Sequence, residues 1–325
     1  MKLTIFGMLL GAAAISFAAA GARKEVLLPS SQAGESPHSR VVLVPRLNPG
    51  QTLRYQLDFR SHSKGSVLSV VDDPQGAREL DLSIGVLMRL DVLRVTPAGL
   101  RIRSTYEQLA AKARSDTPDP ATEQIEKSMA QFQGKSFEFT LDKQGRVRDL
   151  SGLGELLPGQ DQAVQEWLKT IASAESLPER GIALGERWAS EQDVYLPLAG
   201  AKWVRESTYL RNETCRSAPN EAASGETCAV ILTRSLLTRK GNPKDATPPE
   251  YSQQGLRSSG TAEGTSENLK YISLSTGLVV SMTQTAAQKM NVTVSLADGS
   301  NAVKYDADVK TESQLSLVSE SAAKP

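Results

Sequence analysis

His38 and His62 are the only histidines in a chain of 325 residues. Most hydrolytic triads and most histidine metal sites therefore lack their base or their ligand. Cys215 and Cys228 are the only cysteines; their spacing is not CxxC and neither histidine is near them in sequence, which argues against a metal or redox centre. Ser258-Ser259-Gly260 lacks the GxSxG elbow of a nucleophilic serine, and Gly152-Leu153-Gly154 is a GxG without the glycine pattern of a phosphate loop. Carboxylates are scattered: Asp193 and Glu206 in strand-like runs, Asp72-Asp73 in a turn, and Asp306 and Asp308 alternating along one strand. Paired acids could hydrolyse a glycoside, but alternation makes Asp306 and Asp308 a solvated outer face. Asn212-Glu213-Thr214 and Asn291-Val292-Thr293 fit the glycosylation pattern and read as coincidences. The expectation is a protein without catalytic residues, metal or cofactor, with a hydrolase only a distant third reading.

The elements that would position any site are mostly strands. Leu269 to Val294 is the clearest stretch: Ile272 and Leu274 point one way, Tyr271 and Ser273 the other, and after Ser275-Thr276-Gly277 the alternation resumes through Leu278, Val280 and Met282. Gly277 stands where a short hairpin loop needs positive φ. The same period runs through Leu53, Tyr55, Leu57 and Phe59, through Leu80 to Val92, through Leu100 to Tyr106 after the turn Thr96-Pro97-Ala98-Gly99, and through Phe137, Phe139 and Leu141. Two stretches change to helical spacing: Ile125, Met129 and Phe132, and then Val164, Trp167, Leu168 and Ile171 within about 161–173. The fold class expected is mainly β with a few helices, a large curved antiparallel sheet or half-barrel with helices packed on one side. A thin echo, Gly185-Glu186-Arg187-Trp188 against Gly50-Gln51-Thr52-Leu53, leaves open whether there are two similar halves or one continuous sheet.

Residues 1–22 combine Lys2, an apolar run from Leu3 to Phe17 and a small-residue end, the pattern of a secretory signal peptide. Cleavage after Ala20 or after Ala22 satisfies it equally. The run is shorter than the roughly 20 residues of a spanning helix, and no cysteine follows it, so an exported chain, periplasmic or extracellular and not lipid-anchored, is expected. In an oxidising compartment Cys215 and Cys228 form a disulfide pinching the loop between two antiparallel strands, which in the chain-entropy model is worth about 3 kcal/mol. The remaining divisions are a leader over 23–49 with a short strand at Val41–Val44, a β-rich half with two helices over 50–175, a second β-rich half over 182–312, and a flexible tail over 313–325. Lys plus Arg and Asp plus Glu are both 37, which gives no attraction for nucleic acid. No later run is long and apolar enough to span a bilayer.

What remains is shape. An apolar sheet face carrying Met88, Leu90, Phe137, Phe139, Val280, Met282 and Met290, partly capped by two helices, is the candidate wall of a cavity for a lipid or other apolar ligand; flexible, polarisable methionine suits such a surface. The alternative function is a structural or interaction protein with an envelope partner, using an edge strand or the Pro-rich loop from Gly241 to Gln254.

Three stretches carry a resemblance: TGLVVSMTQTAAQKMNV after SGTAEGT, FTLDKQGRVRDLSGL, and LGERW. On these, the chain from about Gly50 to Thr311 resembles a group of exported bacterial proteins of unknown function with similar hairpins. More distantly it resembles the half-barrel of periplasmic lipoprotein carriers. The latter likeness implies a curved antiparallel sheet with helices plugging its open side, and it carries over no functional residue.

Overall fold

The structure is a computed structural model that describes residues 24–26, 40–69, 75–116, 120–152, 168, 171, 177–194, 196–215, 225–239 and 241–321. Its strands are β1 Lys24–Val26, β2 Thr52–Ser69, β3 Gln75–Thr96, β4 Gly99–Ser115, β5 Ser136–Leu141, β6 Val147–Ser151, β7 Arg187–Asp193, β8 Ala201–Thr214, β9 Thr227–Arg239, β10 Leu256–Ser273, β11 Val279–Leu296 and β12 Val303–Ser321. Two helices accompany them, α1 Pro120–Ala130 and α2 Pro249–Gln253. All twelve strands form one sheet in the order β1-β7-β8-β9-β10-β11-β12-β2-β3-β4-β5-β6. It is therefore an open antiparallel sheet made of two meanders, β2–β6 and β7–β12, joined where β12 pairs with β2.

That joint lies in the segment read from sequence as the start of a frayed tail. Ser and Glu dominate Thr311–Ser321, yet Leu315 is 1% exposed and pairs with Leu57, and Ser313 and Ser316 are also buried. Burial on both sides, by β11 and β2, makes this polar-looking strand central. The leader also joins the fold. β1 pairs with β7, Val41 bridges Ile182, and Leu43 is buried in the main core.

The inner face of the sheet is filled at one end by a large core, in which Leu53, Tyr55, Met88, Leu90, Ile102, Phe137 and Phe139 of the first meander meet Trp188, Tyr209, Ile231, Ile272, Val279 and Met282 of the second. Strands near opposite edges of the sheet contribute to this one cluster, so the sheet curves around it. Leu168 and Ile171, both helical and buried, complete it; the rest of the expected helix over 161–173 lies outside the described residues, as do His38, Asp72 and Asp73. α1 lies on the inner face of β2–β4, with Ile125 and Met129 packed against Phe59, Leu82 and Ile84. Beyond its pairing with β5, β4 is a free edge, and the Glu126 carboxylate accepts the Ala113 N–H at 2.9 Å. A second, smaller cluster of Trp203, Leu237, Ala262 and Val292, capped by Leu196, Leu198 and Ala246, fills the far end of the second meander.

The β10–β11 turn is held tightly. Gly277 has φ 71°, and a Cβ there would come within 2.2 Å of the Val44 carbonyl oxygen, because the leader crosses directly over the turn. The Arg46 N–H donates to the Thr276 carbonyl at 2.6 Å, and Glu226 accepts hydrogen bonds from the hydroxyls of Ser273 and Ser275.

Candidate functional site

The residues expected to line a cavity are divided by the structure among three places. Met88, Leu90, Phe137, Phe139 and Met282 are in the main core. The space left there, between Leu53, Leu90, Ile102, Phe139, Leu141, Leu168, Ile171 and Leu278, is about 20 Å³, room on the scale of a single water, for which roughly 10–15 Å³ suffices. These side chains form a filled core and offer no room for an acyl chain. Val280 is elsewhere. A bulge between Tyr271 and Ile272 pairs Ile272 with Val279. Val279 thus takes the inward position, and Val280 packs on Cys215, Cys228 and, in part, Tyr271. The expectation that Val280 shares a face with Met282 and Ile272 is corrected by that extra residue. Met290 is half-buried against the far cluster.

The disulfide Cys215–Cys228 is formed at the base of the β8–β9 loop, with Cα atoms 5.1 Å apart. Other sequence candidates face outward. His62 meets Asp81 at 2.8 Å on the exposed face, Asp306 accepts from the Asn291 side-chain amide at 3.1 Å, Asp308 lies 3.9 Å from Lys289, and Glu206 pairs with Arg187. On the same outer face of the first meander a ladder of Arg54, Arg89, Arg101 and Arg103 with Asp91, Glu107 and Glu138 is satisfied within itself. Arg103 and Arg101 hold the Glu138 carboxyl below its ordinary range. Among the described residues no cluster of His, Cys, Asp or Glu could hold a metal ion.

The inner face between the two apolar clusters is different. Directly paired residues of neighbouring strands share a face, so register defines rows across it. One row runs from Tyr209 and Ile231 through Lys270 and Met282 to Leu315, Leu57, Val86 and Leu109. Lys270 is the one charged member. The next row, two residues along each strand, reads Ser207, Thr233, Asn268, Gln284 and Ser313 on β8–β12 and then Phe59, Ile84 and Ala111 on β2–β4. A third reads Arg205, Ser235, Ser266, Ala286, Thr311, Ser61, Leu82 and Ala113, and a fourth has Trp203, Leu237, Gly264, Gln288 and Val309. The division has a cause: the half of this face beneath α1 is largely apolar, and the half beyond α1 is polar and small.

In this belt Thr233, Ser235, Ser266, Gln284, Ala286 and Arg205 are half-buried. The hydroxyls of Ser207 and Thr233 bond at 2.9 Å, and the Asn268 amide donates to Gln284 at 3.2 Å. The Asn268 side-chain oxygen has no hydrogen-bond partner, nor has either amide atom of Gln288, a residue 2% exposed. Lys270 forms no hydrogen bond or ion pair with the described residues. Burial, and secondarily the nearby Arg205 charge, brings its ammonium down from 10.5 to about 8. Burial likewise pushes the Tyr106 hydroxyl, at the other side of the core, up to about 12. Chemically the belt is a polar strip with two cations, set between an apolar floor around Ile231 and Met282 and an apolar end around Trp203 and Leu237.

Sequence reasoning missed Lys270, Arg205, Asn268 and Gln288. The signal was present for two of them: Lys270 has the parity of Ile272 and Leu274, and Arg205 that of Trp203 and Tyr209.

No protein-family model matches the chain, and no curated protein matches it. Among solved structures, a lipovitellin studied for its lipid–protein interactions aligns at 14% identity and TM-score 0.39, over 86% of this chain and 26% of that one. The chain thus spans about a quarter of that protein's length. An outer-membrane channel from Pseudomonas putida F1 aligns at 10% identity and TM-score 0.21, over 87% of this chain and 100% of that one. The outer membrane protein OprG from Pseudomonas aeruginosa aligns at 9% identity and TM-score 0.18, over 82% and 95%. At these scores the likenesses carry no argument about function, and the chain is described by its own geometry as an open, curved antiparallel β sheet.

Proposed function

We propose that this protein is an exported, non-enzymatic binding protein that holds an apolar or lipid-like ligand along the inner face of its sheet. The observation that supports this reading is the strip of small and half-buried inward side chains, Ser235, Ser266 and Ala286, lying between two apolar clusters on a face that α1 covers only over β2–β4. Small side chains at inward positions leave room that a filled core does not. The ligand therefore lies beside the main core, against Met282 and Ile231 at one end and Trp203 and Leu237 at the other. Export accords with the disulfide.

The test is uptake of an uncharged apolar probe. Delipidated protein titrated with methyl cis-parinarate is expected to show saturable fluorescence enhancement near one probe per chain, and organic extraction of the untreated protein is expected to yield a lipid. No saturable uptake together with an empty extract refutes the reading.

A further inference from the structure

The inner face carries charge as well as apolar surface. In the row described above that runs from Tyr209 to Leu109, Lys270 is the one charged side chain, and no carboxylate stands beside it on the inward positions of β8–β12 or β2–β4; Arg205, two rows away, shares its row with Ser190 of β7 and Glu25 of β1. The outer face shows what this chain does with cations elsewhere. Arg54, Arg89, Arg101, Arg103, Arg187 and Lys202 each meet a carboxylate within 3.2 Å. An ammonium left without an anion on an apolar row is costly to keep charged, and its place calls for an anion from outside the chain.

We infer that Lys270 is the headgroup site of the trough and that the ligand is a single-chain carboxylate of the long-chain fatty-acid type. This rests on the apolar-ligand reading and adds the headgroup to it. Lys270 sits at the boundary between the packed floor and the belt, its row neighbours being Ile231 and Met282. From there the inward positions of β10 run over Asn268 and Ser266 to Gly264, about 20 Å at ~3.4 Å per residue. At Gly264 the Trp203 ring closes the path, 3.3 Å from where a Cβ would be. A carboxylate at Lys270 would neutralise its ammonium and leave the chain to lie over small side chains toward the aromatic end. Asn268 is adjacent to the headgroup, and its nitrogen is already engaged with Gln284. The carboxylate is therefore met by the ammonium and not by an amide pair. The small-residue strip spans β9–β11, about 10 Å between its outer strands, a width that favours one chain.

The experiment compares cis-parinaric acid with its methyl ester on the wild-type protein and on Lys270→Met. The acid is expected to bind wild type at least tenfold more tightly than the ester, and Lys270→Met to bind acid and ester alike. Retained ester binding shows that the variant is folded. Equal affinity of acid and ester for wild type, or an acid preference that survives in Lys270→Met, overturns the headgroup site and leaves the apolar-ligand reading standing. Failure of wild type to bind either probe overturns both. Palmitate is expected to displace the bound acid; displacement by phosphatidylglycerol vesicles and not by palmitate overturns the single-chain assignment.

Discussion

Replacing Lys270 by methionine should make the protein more stable as well as unable to discriminate a carboxylate. Methionine retains most of the straight aliphatic stem and removes the ammonium, so the apolar row from Tyr209 to Leu109 becomes continuous. A fall from 10.5 to about 8 corresponds, at about 1.4 kcal/mol per pH unit, to about 3 kcal/mol of penalty for holding the charge in the fold at neutral pH. Lys270 retains some access to solvent, which screens the charge and brings the expected gain to roughly 1–3 kcal/mol. The sign with pH follows from linkage. Below about pH 8 the lysine is protonated in both states and the wild type carries the whole penalty. Between about 8 and 10.5 the unfolded chain binds a proton that the folded chain does not, so wild-type stability rises with pH relative to the variant. Above 10.5 both states are neutral and the difference closes. Urea unfolding of both proteins at pH 7 and pH 10.5, followed by the fluorescence of the buried Trp188 and Trp203, gives the two differences directly; other titrating groups cancel between the proteins. A variant less stable than wild type at pH 7, or a gain that is the same at both pH values, would refute the placement of an unpaired ammonium on the inner face. Such a gain would be a case of function held at the expense of stability.

Three further outcomes follow from the geometry. Gly277→Ala should cost about 2 kcal/mol or more, since φ is 71° and the added methyl meets the Val44 backbone and not a side chain that can swing away; chemical denaturation measures it, and a loss under 0.5 kcal/mol would mean the leader does not cross the turn. The double variant Cys215→Ser, Cys228→Ser should lose about 3 kcal/mol in the same assay, and an unchanged midpoint would show that the β8–β9 loop is constrained without the bridge. Gln288→Met should raise stability by about 1–2 kcal/mol, because both amide atoms are buried without partners; a decrease would indicate that the amide has partners in solution, ordered water being the first to look for by crystallography.

Most of the strands and their faces, the helix around Ile125 and the disulfide were legible in the amino-acid order. Period-two alternation, glycine turns and a cysteine pair flanking a polar loop are local signals, and local sterics and burial act on them directly. It even carried the parity that puts Lys270 with Ile272, although the apolar neighbours drew attention away from the one residue that did not match them. The rest depends on which distant segments pair. The polar-looking Thr311–Ser321 is a central strand because β11 and β2 flank it, and nothing in its own composition names those partners. Val280 changed faces because one extra residue at a bulge reverses parity, and the reversal is visible only against the opposing strand. The methionines and phenylalanines expected to wall a cavity fill a core instead, since Leu168, Ile171 and the leader occupy the space they face. The proposed trough lies where serines and an alanine of three neighbouring strands fall into register beside Lys270, a coincidence of pairing across β9–β11 that no single strand records.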